Sequence, residues 1–102
     1  PGMATKEHTM FDTEAAAQAV LDEAGAVLGV AITLDDALSR APTAGSASLG
    51  WAQGWTLDRR TLITIGAWPE GFSVRTYALY GSDRWSGVHR TIADAARSLV
   101  AA

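Results

Sequence analysis

From Leu49 onward the large residues recur at every second position instead of every third or fourth, and this switch limits what the chain can fold into. Leu49, Trp51, Trp55 and Leu57 alternate with Gly50, Ala52, Gly54 and Thr56, the period of a β-strand with one heavy and one light face. Two more extended runs follow, Thr61 to Trp68 and Phe72 to about Tyr80. Asp58-Arg59-Arg60 separates the first pair, and Trp68-Pro69-Glu70-Gly71-Phe72 places Pro and Gly where a short hairpin loop needs them. Connections this short leave no room for a crossover, so the three strands are expected as an antiparallel meander.

Helical patterns flank the strands. Asp12 or Thr13 can cap a first helix over about 13–28, whose apolar positions Ala17, Val20, Leu21, Ala24, Val27 and Leu28 follow three-and-four spacing up to Gly29. Val30 to Thr33 reads as an extended connection. Thr33 stands three residues before Asp36, a capping arrangement that predicts a short second helix over about 34–41, stopped by Pro42 and followed by a Pro42–Ser46 loop. Gly81 to Gly87 reads as a polar loop carrying Trp85. Thr91 and Asp94 repeat the capping spacing ahead of Ile92, Ala95, Ala96, Leu99 and Val100 in a terminal helix.

The expected fold is α+β, a three-stranded antiparallel meander packed against helices in the order α-α-β-β-β-α. The helices are expected over the sheet side bearing Trp51, Trp55, Ile63, Ile65 and Val74. A chain of 102 residues predicts one domain, over 11–102. Residues 1–10 read as a flexible N-terminus in which Pro1-Gly2 is the remnant of a cleaved tag and the native chain begins at Met3.

Composition narrows the function classes. No cysteine is present, which removes disulfides, thiolate metal sites and cysteine nucleophiles together. Apolar runs are broken by Asp22, Glu23, Asp35 and Asp36 well before the roughly 20 residues of a membrane span, so no membrane partner is expected and a cytoplasmic setting is. Net charge is −3, unevenly placed: residues 1–45 hold seven acids against two bases, and residues 46–102 hold four acids against six arginines. Alanine occurs twenty times, lysine once and asparagine never, the usage of a high-GC genome.

Catalytic constellations are weak. His89 lies near Asp83 and Ser86, but no nucleophile-elbow glycines surround that serine. Asp22-Glu23 and Asp35-Asp36 are adjacent, and neighbouring helix residues point about 100° apart, so neither pair converges on one bond. No His-x-x-x-His or Asp-x-Asp spacing occurs, and the glycines build no phosphate-binding fingerprint. No catalytic residue, metal or cofactor is assigned.

Arginines interleaved with aromatics remain. Arg75 and Tyr77, with Arg59 and Arg60 at a hairpin tip, suit a nucleic-acid surface if they project from the sheet face opposite the helices. Trp68 and Trp85, at a strand end and in a polar loop, suit a protein partner. The strand-strand-strand-helix order over 47–101, with Thr91-Ile92-Ala93-Asp94-Ala95-Ala96, resembles the DNA-binding domains of plant ethylene-response factors. With the first helix it is similar in order to double-stranded RNA-binding domains, although the basic residues of both families are largely missing here. Shared architecture alone does not carry function.

The expected function is therefore a small non-enzymatic protein-interaction module, of the accessory kind by which phages and mobile elements bind host proteins. Its candidate contact residues are Trp68, Arg75, Tyr77, Trp85, Arg59 and Arg60. A nucleic-acid-binding domain using the Arg- and aromatic-rich half is the alternative. An open sheet also offers two edges through which two copies can pair as a homodimer.

Overall fold

In the computed structural model, which describes residues 13–35 and 49–101, the chain leads with helix α1, Glu14–Leu28. Thr13 caps it, its hydroxyl accepting from the Ala16 N–H at 3.0 Å, and Gly29 ends it in the left-handed conformation at φ 78°. Strands β1 (Ile32–Leu34), β2 (Gly50–Thr56), β3 (Thr61–Trp68), β4 (Gly71–Ala78) and β5 (Asp83–Trp85) follow, and helix α2 (Ile92–Ala101) closes the order. The Thr91 hydroxyl accepts from the Asp94 N–H at 3.0 Å, so the predicted cap forms at α2.

The fold is α+β, but the sheet has five strands, ordered β1-β2-β3-β4-β5 with every neighbour antiparallel, and the element order is α-β-β-β-β-β-α. This corrects the three-stranded expectation at both edges. Ile32-Thr33-Leu34 pairs with Thr56-Trp55-Gly54, where an extended connection and the start of a second helix were expected. Residues 36–41, the rest of that predicted helix, and the Pro42–Ser46 loop lie outside the described residues, as do residues 1–12. Asp83-Arg84-Trp85 pairs with Tyr77-Thr76-Arg75 inside the predicted polar loop. Three residues carry too little periodicity to announce a strand, and pairing with an existing neighbour makes these two.

The second correction concerns which face the helices cover. Both helices lie on the side bearing Ala52 and Gly54 of β2, Ile63, Ile65 and Ala67 of β3, and Val74 of β4, all buried. Leu21, Ile63, Ile65 and Val74 are the largest fully buried side chains. The register opposes Ala52 to Ile65 and Gly54 to Ile63, so Trp51 and Trp55 point to the other face of the sheet. Leu49 does pack against the helix-side core, because Gly50 at φ 134° breaks the alternation between it and Trp51. Leu57, expected beside Leu49, sits in the β2-β3 turn and is exposed.

The physical reason is clearance. A Cβ added to Gly54 would lie 2.6 Å from the Thr33 carbonyl oxygen, 2.8 Å from an Ile32 methyl and 2.9 Å from a Leu21 methyl. At Gly25 of α1 a Cβ would lie 2.5 Å from the Val30 carbonyl oxygen. Gly54 is thus hemmed in by β1 and by Leu21 of α1, and only the light face of β2 fits on the helix side.

One sheet edge is closed by a side chain. Gln18 of α1 donates from Nε2 to the Ile32 carbonyl at 2.7 Å and to Asp22 Oδ1 at 2.8 Å, while its Oε1 accepts from the Leu34 N–H at 2.9 Å. The amide thereby satisfies the outer backbone groups of β1 in place of another strand.

Two stability outcomes follow. Intrinsic preference favours Ala over Gly in a strand by roughly 0.5–1 kcal/mol, yet Gly54→Ala is expected to destabilise by about 2 kcal/mol because the clash dominates; an unchanged urea midpoint would contradict the close approach. Gln18→Ala should cost about 1–2 kcal/mol from two lost edge hydrogen bonds, read as a lower urea midpoint at constant slope.

Candidate functional site

Strand parity puts all four tryptophans of the chain on the face the helices do not cover. The register aligns them in rows across the sheet. Thr33, Trp55, Leu62, Tyr77 and Asp83 form one row, and Gln53, Thr64, Arg75 and Trp85 the next. Trp51, Gly66 and Ser73 form the third, with Trp68 beyond it. The helix-side core contains no tryptophan among the described residues.

These rows surround a cavity of about 340 Å³ whose floor includes Thr64, Gly66 and Ser73 and whose walls include Trp51, Trp68, Arg75, Tyr77 and Trp85. Gly66 opens it: a Cβ there would lie 2.9 Å from Ser73 Oγ and 3.0 Å from Trp68 Nε1. Those two atoms are themselves bonded, Trp68 Nε1–H donating to Ser73 Oγ at 2.8 Å, which fixes the Trp68 ring along the wall. Trp55 is anchored similarly, its Nε1–H donating to Asp35 Oδ2 at 3.1 Å. Trp85 is 52% exposed on the edge strand, the most open of the four rings.

Arg75 sits between two aromatics. Its guanidinium carbon is 5.6 Å from the Tyr77 ring centre and 5.9 Å from the Trp85 ring centre, and one nitrogen donates to the Tyr77 hydroxyl at 3.2 Å. That hydrogen bond, followed by the charge interaction with Tyr77 and a smaller one with Asp83, pushes the already high pKa of Arg75 upward, so the group is cationic at every working pH. It makes no ion pair with a described carboxylate; the ion pair formed among the described residues is Arg97–Asp94, exposed on α2. Thr64, the direct cross-strand partner of Arg75, has a buried hydroxyl with no hydrogen-bond partner. A group left this way costs roughly 1–3 kcal/mol.

The structure brings Trp68, Arg75, Tyr77 and Trp85 to one cavity and leaves Arg59 and Arg60 apart. Those two lie at the β2-β3 hairpin tip, where the Leu79 N–H donates to the Arg60 carbonyl, and Leu79 is four residue steps along extended chain from Arg75, roughly 13 Å. Arg59 takes a positive φ of 61°, and the turn is held by Asp58, which accepts from the Thr56 hydroxyl at 2.7 Å and the Arg60 N–H at 3.0 Å. The Thr56 bond first, then the Arg60 amide, hold the Asp58 carboxyl below its usual range. A separate depression of about 360 Å³ beside Arg59 is lined by Trp55, Asp35 and Leu57.

Around His89 the geometry differs from a hydrolase arrangement. The Ser86 hydroxyl accepts from the Val74 N–H at 2.8 Å and donates to the Gly87 carbonyl at 2.6 Å. The His89 Nε2 meets the Ser86 backbone carbonyl at 2.9 Å rather than the hydroxyl, and backbone bonds of 2.7 Å in both directions tie His89 to Phe72. These groups seal the end of β4 against the segment after β5. Among the described residues no three His, Asp or Glu side chains converge.

Sequence reasoning missed Trp51, Gly66, Ser73 and Thr64 as site residues. Trp51 was assigned to the core, and the other three carry no signal until the register sets them beneath the aromatics. No family model, curated protein or solved structure matches the chain. No helix among the described residues is long and apolar enough to cross a membrane.

Acrylamide quenching tests the arrangement. Trp85→Phe is expected to remove the most quenchable part of the tryptophan emission and leave a weakly quenched remainder; quenching unaltered by that substitution would place the open ring elsewhere.

Proposed function

We propose that this chain is a non-enzymatic protein-binding module that docks its partner on the open face of the sheet. One observation carries this reading: all four tryptophans stand on the uncovered face and three of them, Trp51, Trp68 and Trp85, line one cavity, while the core beneath the helices is built from alanine, isoleucine, leucine and valine. Tryptophan is the residue whose burial gains most at an interface, and hot spots are enriched in Trp, Tyr and Arg grouped in a well-packed pocket. Trp68, Arg75, Tyr77 and Trp85 are such a group. Indole bonds to Asp35 and Ser73 hold two of the rings in place before a partner arrives, which lowers the ordering cost of binding.

A nucleic-acid surface would need cations tracking a backbone across the face. Arg75 is the one arginine in the described rows of this face; Arg59 and Arg60 stand at the sheet end, and Arg84 shares its register position with Thr76, on the opposite side. The net charge of −3 adds to the argument. An accessory role in the cytoplasm, of the phage or mobile-element kind, fits the small size and acidity.

Photo-crosslinking is the test. Benzoyl-phenylalanine in place of Leu62 or Trp85 should give one shared protein adduct in lysate of the cells where the chain acts. The adduct should be absent with the probe at Glu23, on the outer side of α1, and should disappear on adding Arg75→Ala. Adducts from Glu23 alone, or no adduct from either face position, would refute the docking face. A gel shift with single-stranded RNA or duplex DNA that weakens steeply with salt and vanishes in Arg75→Ala would replace this reading with nucleic-acid binding.

A further inference from the structure

We infer that the docking face is selective for an acidic side chain of its partner, a Glu or Asp carboxylate received by Arg75 with an adjacent apolar side chain seated in the tryptophan-walled cavity. The inference rests on the docking reading above and names the chemistry of what docks.

Arg75 is a cation prepared for an anion it does not yet have. One of its donors is used on Tyr77, the rings of Tyr77 and Trp85 hold its plane, and no described carboxylate pairs with it. A guanidinium has five N–H donors in a fixed fork that matches a carboxylate, so most of its donor capacity is open to a ligand. Its aromatic neighbours exclude part of the water around it, and a charge-assisted hydrogen bond gains strength there.

The match is to a carboxylate rather than a phosphate: a single guanidinium satisfies a planar, singly charged group, whereas a phosphate dianion calls for several cations or backbone donors. Beyond Arg75 the cavity is walled by indole rings, which suits an apolar side chain next to the acid.

A second copy of the chain is a poor occupant by way of the open β5 edge. The Ser86 N–H bonds to the Val74 carbonyl, so β5 turns the backbone groups of Asp83 and Trp85 outward. Two copies pairing about a two-fold at the middle of β5 would set Arg84 directly against Arg84, a like-charge contact that disfavours that register.

A random dodecapeptide display library selected on the immobilised full chain, with counter-selection on Arg75→Gln, tests the inference. Enriched peptides should share a Glu or Asp within two residues of Phe, Leu or Trp. Replacing that Glu by Gln in the best peptide should weaken binding roughly tenfold. Enriched peptides without an acid, indifference to the Gln replacement, tighter binding of a phosphoserine version than of the Glu peptide, or no peptide that depends on Arg75 would each overturn it. The Gln replacement acts on the peptide alone, so a folding defect in a protein variant cannot produce that result. Crosslinking from Leu62 and Trp85 that persists alongside acid-independent peptides would sink this inference while leaving the docking face standing.

Discussion

The crowding of β2 on its helix side, by Leu21 of α1 and by β1, is the constraint on which the rest of the structure depends. Gly54 has no room for a methyl group among Leu21, the Ile32 side chain and the Thr33 carbonyl. With that side so crowded, the helix side of β2 is limited to Gly50, Ala52 and Gly54. Parity then sends Trp51, Gln53 and Trp55 to the opposite face, and the register carries that choice across β3 and β4 to Arg75, Tyr77 and Trp85. The aromatic face is thus a consequence of how tightly the other face is packed.

The two edges of the sheet are treated differently, and this bears on where a partner can approach. At β1 the Gln18 amide occupies the outer backbone groups, and α1 stands beside them. At β5 the chain pairs for only three residues, then returns through the Ser86 hydroxyl and the Phe72–His89 bridge, leaving Trp85 at the rim. Gly71 belongs to the same closure: at φ 152° it passes close under the His89 carbonyl, where no side chain would fit. The face is walled by a helix-backed edge on one side and bounded on the other by its most exposed tryptophan.

Much of the fold was legible in the sequence, and the failures have two causes. Helix α1 announced itself through Thr13, its apolar spacing and Gly29, and α2 through Thr91 with Asp94. The three long strands were visible as period-two runs. Strands of three residues were not, because Ile32-Thr33-Leu34 and Asp83-Arg84-Trp85 are extended only by virtue of the neighbour they pair with. Face assignment failed at β2 because hydrophobic weight pointed Trp51 and Trp55 inward. The opposing signal was present in the light residues of β2: Ala52 and Gly54 are buried on the helix side, where Leu21 and Ile32 leave Gly54 no room for a side chain. Of the site, Trp68, Arg75, Tyr77 and Trp85 could be named as candidates from residue type and position. Thr64, Gly66 and Ser73 could not, since only cross-strand register makes a floor of them.

Aromatic rows on a sheet also stabilise it, and cross-strand pairs such as Trp55–Leu62 and Leu62–Tyr77 contribute roughly 0.2–1 kcal/mol each. A structural role and the proposed recognition role therefore overlap on this face, and individual bonds separate them. Trp55 and Trp68 spend their indole N–H groups on Asp35 and Ser73, so their rings brace the sheet. Trp85 makes no such bond, projects from a three-residue edge strand, and is more than half exposed, so its ring adds little to the fold by burial. Arg75 lies between the braced and the open rings, held by Tyr77 and Trp85 yet with most of its donors unspent. A residue that stabilised only the sheet would have no need of a cation there, since Thr or Val in its place would fill a strand position at lower desolvation cost.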